Sequence, residues 1–290
     1  MADLLFSETP IRALQDALSP LFDGLFLAIT STGSTLFLLV LVLLVYWLWD
    51  KRAGFFIGVV LLSSGAMNVL LKDLFQMPRP PSQLHITSAA GNGFPSGHAQ
   101  QTTVFWSTAA LRLRNGWVLL APLLIGLVAL SRVYLGVHFV GDVLGGIAFG
   151  LIVSLLGLLI HRAGFWQLLG IRSRLLLAFI LPSLLGGLYF LGQEIVAVWG
   201  LLMGLSVGYV LEAEWVGLGR SQSRASAAIR LLTGLPSLTG LYVLSLQLSA
   251  PYLLFPLNIT IGLSATLLLP WLFRFLESHL LSSRPAQAQQ

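Results

Sequence analysis

The chain has 290 residues, of which 56% are hydrophobic and 9% charged, with a mean hydropathy of +0.87. Soluble domains carry about 25% charged residues, so this composition excludes a soluble globular protein, and its apolar excess excludes a disordered chain. The net charge of +5 and the pI near 10.0 arise without a dense basic cluster, so no nucleic-acid partner is expected, and with 0 cysteines there are neither disulfides nor thiolate metal sites.

In chain order, residues 1–31 do not read as a cleaved signal peptide, because Asp3 and Glu8 stand where basic residues are expected and no apolar run follows directly. Ile11, Leu14, Leu18, Leu21 and Phe22 form a helical apolar stripe broken by Pro20, which predicts an interfacial segment lying on the outer leaflet. Nine stretches then approach the roughly 20 apolar residues needed to cross a bilayer. They are 32–49, 53–75, 98–113, 117–134, 139–160, 175–191, 195–211, 231–248 and 253–275. The expected fold class is therefore all-α, a polytopic membrane helical bundle. The third stretch is short and polar (Gln100, Gln101, Thr102, Thr103, Ser107) and belongs inside the bundle rather than against lipid. The fifth carries Gly141, Gly145, Gly146 and Gly150 at helical spacing, a close-packing face. Residues from Ser282 onward form a polar tail, expected to be disordered.

Basic residues concentrate in cytoplasmic loops. With the N-terminus outside and nine spans, the inner segments hold Lys51, Arg52, Arg112, Arg114, Arg162, Arg172, Arg174, Arg220, Arg224, Arg230, Arg274 and Arg284, twelve of the 16 Lys and Arg residues. The C-terminus is then cytoplasmic. The inner loop between Arg220 and Arg230 reads as an anchoring feature that touches anionic headgroups. Outside remain Arg12, Lys72, Arg79 and Arg132.

These outer cations carry the functional information. Lys72 and Arg79 flank the end of the second span, and Arg132 ends the fourth, all on one membrane face. Three cations around one small volume call for an anion, and Asp73 and Asp142 are too few; a dianionic phosphate fits, with arginine as a planar fork and lysine as a point charge. Each taken alone is equally a snorkelling anchor. Gly93-Phe94-Pro95-Ser96-Gly97-His98 precedes the third span. A serine N-cap there aims the free N–H groups of Ser96, Gly97 and His98 outward, an arrangement suited to phosphate. His138 and Asp142, four residues apart, face one side of the fifth span. A carboxylate on one ring nitrogen leaves the other nitrogen's lone pair free to attack. His138 thus reads as nucleophile, Asp142 as its orienting partner, and His98 as acid to the leaving oxygen and then base to water. The alternative for His138 and Asp142 is a buried structural pair. A metal site is disfavoured by the surrounding cations, so no metal and no cofactor are expected.

The motifs Lys72-x6-Arg79-Pro80, Pro95-Ser96-Gly97-His98 and Ser131-Arg132-x5-His138-x3-Asp142 resemble those of the type 2 phosphatidic acid phosphatase (PAP2) superfamily, in its integral-membrane lipid phosphate phosphatase branch. The resemblance implies a metal-independent hydrolase working through a phosphohistidine. Lys72, Arg79, Ser96, Gly97 and Arg132 would bind phosphate, and His138, His98 and Asp142 would be catalytic. It further implies a six-helix catalytic core over 32–192, followed by three additional helices over 193–276 and a tail over 277–290. The expected substrate is a lipid phosphate or diphosphate such as undecaprenyl pyrophosphate, phosphatidic acid or phosphatidylglycerol phosphate. A phosphotransferase using the same site, a phosphatase on a soluble sugar phosphate and a non-enzymatic lipid transporter are the alternatives. The expected location is the bacterial plasma membrane, with the site on the extracytoplasmic side.

Overall fold

A computed structural model describes residues 5–113, 117–164, 168–187, 193–248 and 250–281, and all regular structure among them is helical. The tail from 282 to 290 lies outside the described residues. The chain divides into two compact units, Met1–Val42 with Val60–Gly164, and Leu43–Val59 with Phe165–Gln290. Among the described residues five helices are long and apolar enough to cross a membrane: Lys51–Phe75, Val140–Arg162, Val196–Trp215, Arg224–Leu246 and Tyr252–Leu280. A sixth forms if Asp23–Ser31 and Thr35–Trp49, bent by 51°, count as one span.

The first unit opens with α1 (Thr9–Leu18) and α2 (Asp23–Ser31). Ile11 of the predicted apolar stripe is fully buried, and the Gln15 side-chain amide donates to the carbonyls of Leu84 (2.8 Å) and Tyr134 (2.9 Å). Phe26 of α2 stacks on Tyr134 with ring centroids 4.1 Å apart. Helix α3 (Thr35–Leu44), extended by a π-turn over Val45–Trp49, leads to α4 (Lys51–Phe75). Then come α5 (Gly97–Leu113), α6 (Trp117–Tyr134) and α7 (Val140–Arg162). The polar face of α5 is turned inward: Gln100, Gln101, Thr102, Thr103 and Thr108 are all buried. Gln100, Thr103 and Thr108 find partners there, while Thr102 Oγ1 has none: Gln100 Nε2 donates to Ser64 O and Oγ and its Oε1 accepts from Asn68, because an unpaired buried amide is costly.

Helix α7 is sorted by side-chain size rather than polarity. Leu144, Leu151, Leu155 and Leu159 are half-exposed, while Gly146, Gly150 and Ser154 are buried. A Cβ at Gly146 would lie 2.5 Å from Ser96 O, and one at Gly150 2.8 Å from Gln100 O. Small residues thus let α5 and α7 approach backbone to backbone, as membrane helices without a hydrophobic drive must.

The second unit contains α8 (Ile171–Gly187), α9 (Gln193–Trp215), α10 (Arg224–Leu246), and α11 (Pro251–Leu263), which continues through a π-turn (Ser264–Leu268) into α12 (Leu269–Leu280). Gly204 of α9 rests on Ile259 of α11, whose carbonyl oxygen would be only 2.1 Å from an added Cβ. Carbonyls at the π-turn are met by aromatic donors, Trp47 Nε1 on Ala265 O (2.9 Å) and Tyr46 OH on Thr266 O (3.2 Å). Two ion pairs, each with one buried partner, complete the unit, Lys51–Glu212 (2.8 Å) and Arg230–Glu277 (2.7 Å).

Candidate active site

All eight residues singled out in the sequence lie in the first unit, and the fold gathers them around His138. The loop from Gln76 to Ser96 returns the chain from the end of α4 to the start of α5, while the short link 135–139 turns it from α6 into α7. That turn depends on Gly136, at φ +71°, with a hypothetical Cβ 1.9 Å from Leu84 O. Only glycine meets both conditions.

His138 is buried and flanked on both ring nitrogens. Nδ1 lies 3.3 Å from Asp142 Oδ2, and Nε2 lies 3.0 Å from Arg79 Nη1. A guanidinium can only donate, so Nε2 must be the acceptor and the ring proton sits on Nδ1, toward Asp142. The tautomer is fixed by its two neighbours, with the lone pair aimed at the cation. Asp142 Oδ2 also accepts the Phe139 N–H (2.9 Å), which caps α7. Its Oδ1 is buried without a hydrogen-bond partner.

Arg79 is held in place by backbone. Nε and Nη2 donate to Ala90 O (3.2 and 2.8 Å), Nε also to Gly91 O (3.0 Å), and Nη1 to Val137 O (2.9 Å). Lys72 Nζ donates to Asn92 O (2.7 Å), and Asn92 Nδ2 returns a bond to Lys72 O (3.0 Å). Arg132, 6% exposed, donates through Nη1 to Thr30 Oγ1 of α2 (2.8 Å), and its Nε has no partner. Ser96 is fully buried; its N–H donates to Asp142 O (2.9 Å) and its Oγ is unpartnered. Asn68 Nδ2 donates to Pro95 O (3.2 Å), which steadies the turn carrying Ser96, Gly97 and His98. His98 follows Gly97 in the first turn of α5.

Lys72, Arg79, Arg132 and His98 all lie near enough to His138 to act on its charge. Burial is the largest influence, and the cations Arg79, Arg132 and Lys72 push in the same direction, so the His138 pKa falls well below the ordinary imidazole value. The neutral ring therefore persists at a pH where a free histidine, with a pKa of about 6.5, is already charged. In 15N-histidine NMR of the detergent-solubilised protein, the His138 ring is expected to remain neutral at pH 6; a ring half-protonated at pH 6.5 or above would contradict this. Burial also lowers the pKa of Arg79, and the Asp142 carboxylate opposes that shift. Among the described residues no three His, Cys, Asp or Glu side chains converge as a metal set.

Several contacts were not visible in the sequence. Thr30, Asn68 and Asn92 are ordinary polar residues whose roles arise only from the fold. Thr30 is the most consequential, being the side chain that holds the Arg132 fork. Thr30→Val is expected to reduce kcat/KM for phosphate release about tenfold, the cost of one charge-assisted hydrogen bond, chiefly through KM. Thr30→Ser should restore most of it, and an unchanged KM in Thr30→Val would remove the threonine from the site.

Comparison with known families matches residues 53–166 to the PAP2 superfamily and residues 196–283 to the PAP2 superfamily phosphatase, transmembrane extension. The chain belongs to the PAP2 superfamily. Its PAP2 domain contains all eight residues singled out in the sequence, Thr30 lying outside it, and its second match lies wholly within the second unit. This PAP2 chain is 29% identical to phosphatidylglycerophosphatase B of Bacillus subtilis over 169 residues, covering 53% of the chain and 81% of the relative. It is 34% identical to lipid A 4'-phosphatase of Porphyromonas gingivalis over 156 residues, or 47% and 64% of the two. The crystal structure of a transmembrane PAP2-type phosphatidylglycerolphosphate phosphatase from Bacillus subtilis is 27% identical, with a TM-score of 0.47, over 54% of this chain and 84% of that one. With its transmembrane-extension match and its long apolar helices the PAP2 chain is an integral membrane protein, and the two curated relatives named above are lipid phosphatases.

Proposed function

We propose that the protein hydrolyses the phosphate of a membrane lipid phosphate or diphosphate, such as undecaprenyl pyrophosphate, phosphatidic acid or phosphatidylglycerol phosphate, through a phosphohistidine and without a metal. The observation that carries this reading is the line Asp142–His138–Arg79, in which a buried imidazole has its proton on one side and its lone pair turned toward a cation. A phosphate drawn in by Lys72, Arg79 and Arg132 takes over the Arg79 Nη1 donor and leaves His138 Nε2 facing phosphorus. The Nε2 lone pair forms the P–N bond as the P–O bond to the lipid breaks, and His98 gives its proton to the leaving oxygen. Water then attacks the phosphohistidine, losing a proton to His98, and the P–N bond breaks to release inorganic phosphate. Asp142 balances the charge that develops on His138. Ser96 Oγ and the Gly97 N–H add donors to the equatorial oxygens, so catalysis is mostly electrostatic clamping of the phosphoryl group.

The topology that goes with this reading has nine spans, an outer N-terminus and an inner C-terminus. It comprises an interfacial segment over 1–31, a six-helix core over 32–192, three further helices over 193–276 and a tail over 277–290. The site then opens on the extracytoplasmic face of a bacterial plasma membrane, where a headgroup arrives while its tail stays in lipid. The deciding experiment is release of inorganic phosphate from a panel of lipid and water-soluble phosphate esters in the presence of a chelator. Turnover of the lipid esters with undiminished rate supports the proposal. Preference for a sugar phosphate would replace the substrate class, a phosphorylated acceptor in place of free phosphate would make the enzyme a transferase, and loss of rate on chelation would end the metal-free mechanism.

A further inference from the structure

The second unit contains a hollow of roughly 380 Å³ lined by Tyr46, Trp49, Lys51, Arg52, Leu218 and Arg220, with Asp50 and Gly219. Its walls are the start of α4 and the loop between α9 and α10. That loop is held mainly by two buried charged side chains, Glu212 and Arg230. Glu212, fully buried, accepts the Leu218 N–H and pairs with Lys51 (2.8 and 3.1 Å). Arg230, 2% exposed, donates to Gly219 O (2.8 Å) and to Trp47 O while pairing with Glu277. Arg274 donates to Val216 O, and Ser221 N to Leu48 O (3.2 Å). Burying Glu212 and Arg230 in a membrane unit is costly, and here the result is a fixed loop that sets Arg220 5.8 Å above the Trp49 ring.

We propose that this hollow is a second anion site, one that holds the phosphodiester of an anionic phospholipid headgroup. The charge count selects the ligand. Three cations line the hollow; Lys51 is neutralised by Glu212 behind it, and Asp50 offsets one more while its Oδ1 caps α4 through the N–H groups of Arg52 (2.8 Å) and Ala53 (3.0 Å). One positive charge remains in surplus, which suits a singly charged phosphodiester and not the dianionic monoester that the three cations around His138 attract. The position of the hollow selects a lipid over free phosphate. Trp49, 46% exposed, ends a helix of otherwise apolar residues, where amphipathic rings mark the headgroup level, and the exposed Arg52 and Arg220 provide forks that match phosphate oxygens.

The test is native mass spectrometry of the full chain released from detergent after incubation with phosphatidylglycerol or phosphatidylcholine. Wild type is expected to retain phosphatidylglycerol in preference to phosphatidylcholine. Arg52→Gln combined with Arg220→Gln should weaken that retention by about tenfold or more, with Arg220→Gln alone in between. Arg162→Gln combined with Arg172→Gln, which removes the same charge elsewhere, should retain lipid as wild type does. Both double variants keep the residues around His138, so phosphate release should be unchanged and lipid held at that site cancels in the comparison. Equal losses in the two double variants, or undiminished retention when Arg52 and Arg220 are changed, would overturn the site. Displacement of the lipid by excess inorganic phosphate in wild type, but not in the Arg52 and Arg220 variant, would assign the hollow to a soluble phosphate and overturn the lipid.

Discussion

His138→Ala is expected to lower kcat by on the order of 10⁴ to 10⁶, the scale on which removal of a member of a nucleophilic unit acts, while KM stays near that of wild type. The reason lies in how the site is divided. On the proposed mechanism phosphate is attracted by Lys72, Arg79 and Arg132, and none of the three depends on the imidazole for its position. Arg79 keeps its bonds to Ala90, Gly91 and Val137 when the ring is gone. Asp142 keeps the Phe139 N–H, so the start of α7 is still capped. Binding should thus survive the loss of chemistry. Rapid quenching of wild type with a 32P-labelled lipid phosphate should yield an acid-labile, base-stable protein phosphate that the variant lacks. A variant within tenfold of the wild-type rate would remove His138 as nucleophile and leave the phosphate-binding cations with another reaction to serve.

The gathering of the candidate site was legible in the sequence because charge is so scarce in it. With 9% charged residues, each cation needs a reason, and Lys72, Arg79 and Arg132 had none that topology supplied. The His138–Asp142 pair was legible because a spacing of four on a helix determines the neighbour. The lattice that supports them was not. Thr30 reaches Arg132 across 102 positions, and Gln15 reaches Tyr134 across 119, distances at which no local pattern survives. Their types gave no signal either, since threonine and glutamine are common at helix surfaces. Within the segment read as interfacial, Ile11, Gln15, Phe26 and Thr30 also pack against the first unit, which its apolar stripe alone did not show.

The inner cations show the opposite lesson. The positive-inside count assigns Lys51 and Arg230 to the inner face, an assignment that says nothing of how they are paired. Glu212 and Glu277 are the missing half of that account, and each lies far along the chain from the cation it neutralises. A charge rule based on loops is blind to pairing between them. The same blindness hid the fixed loop that places Arg220 over Trp49, which looks in the sequence like a simple basic stretch.

Asp142→Asn separates what the carboxylate does by shape from what it does by charge. Oδ2 receives two donors, His138 Nδ1–H and the Phe139 N–H. An asparagine meets both only with its carbonyl oxygen in that position, because the flipped amide would set its NH₂ against the Phe139 N–H. Geometry and tautomer are thereby kept, and only the negative charge is lost. In the proposed attack the imidazole becomes cationic beside Arg79, Arg132 and Lys72, and among the described residues Asp142 is the acid bonded to it. The expected result is a kcat lower by about 10² to 10³, the scale on which one preorganised electrostatic interaction in a dry site acts, with KM little changed. At 1.36 kcal/mol per decade that is about 3–4 kcal/mol of transition-state stabilisation from one charge. The amide NH₂ falls where Oδ1 is buried without a partner, so some thermal stability should be lost as well, of order 1–3 kcal/mol. The two losses are measured separately, by steady-state kinetics and by thermal unfolding in detergent. A variant that loses stability but keeps its kcat would reduce Asp142 to a cap for α7, and the charge on His138 would have to be balanced by the phosphate itself.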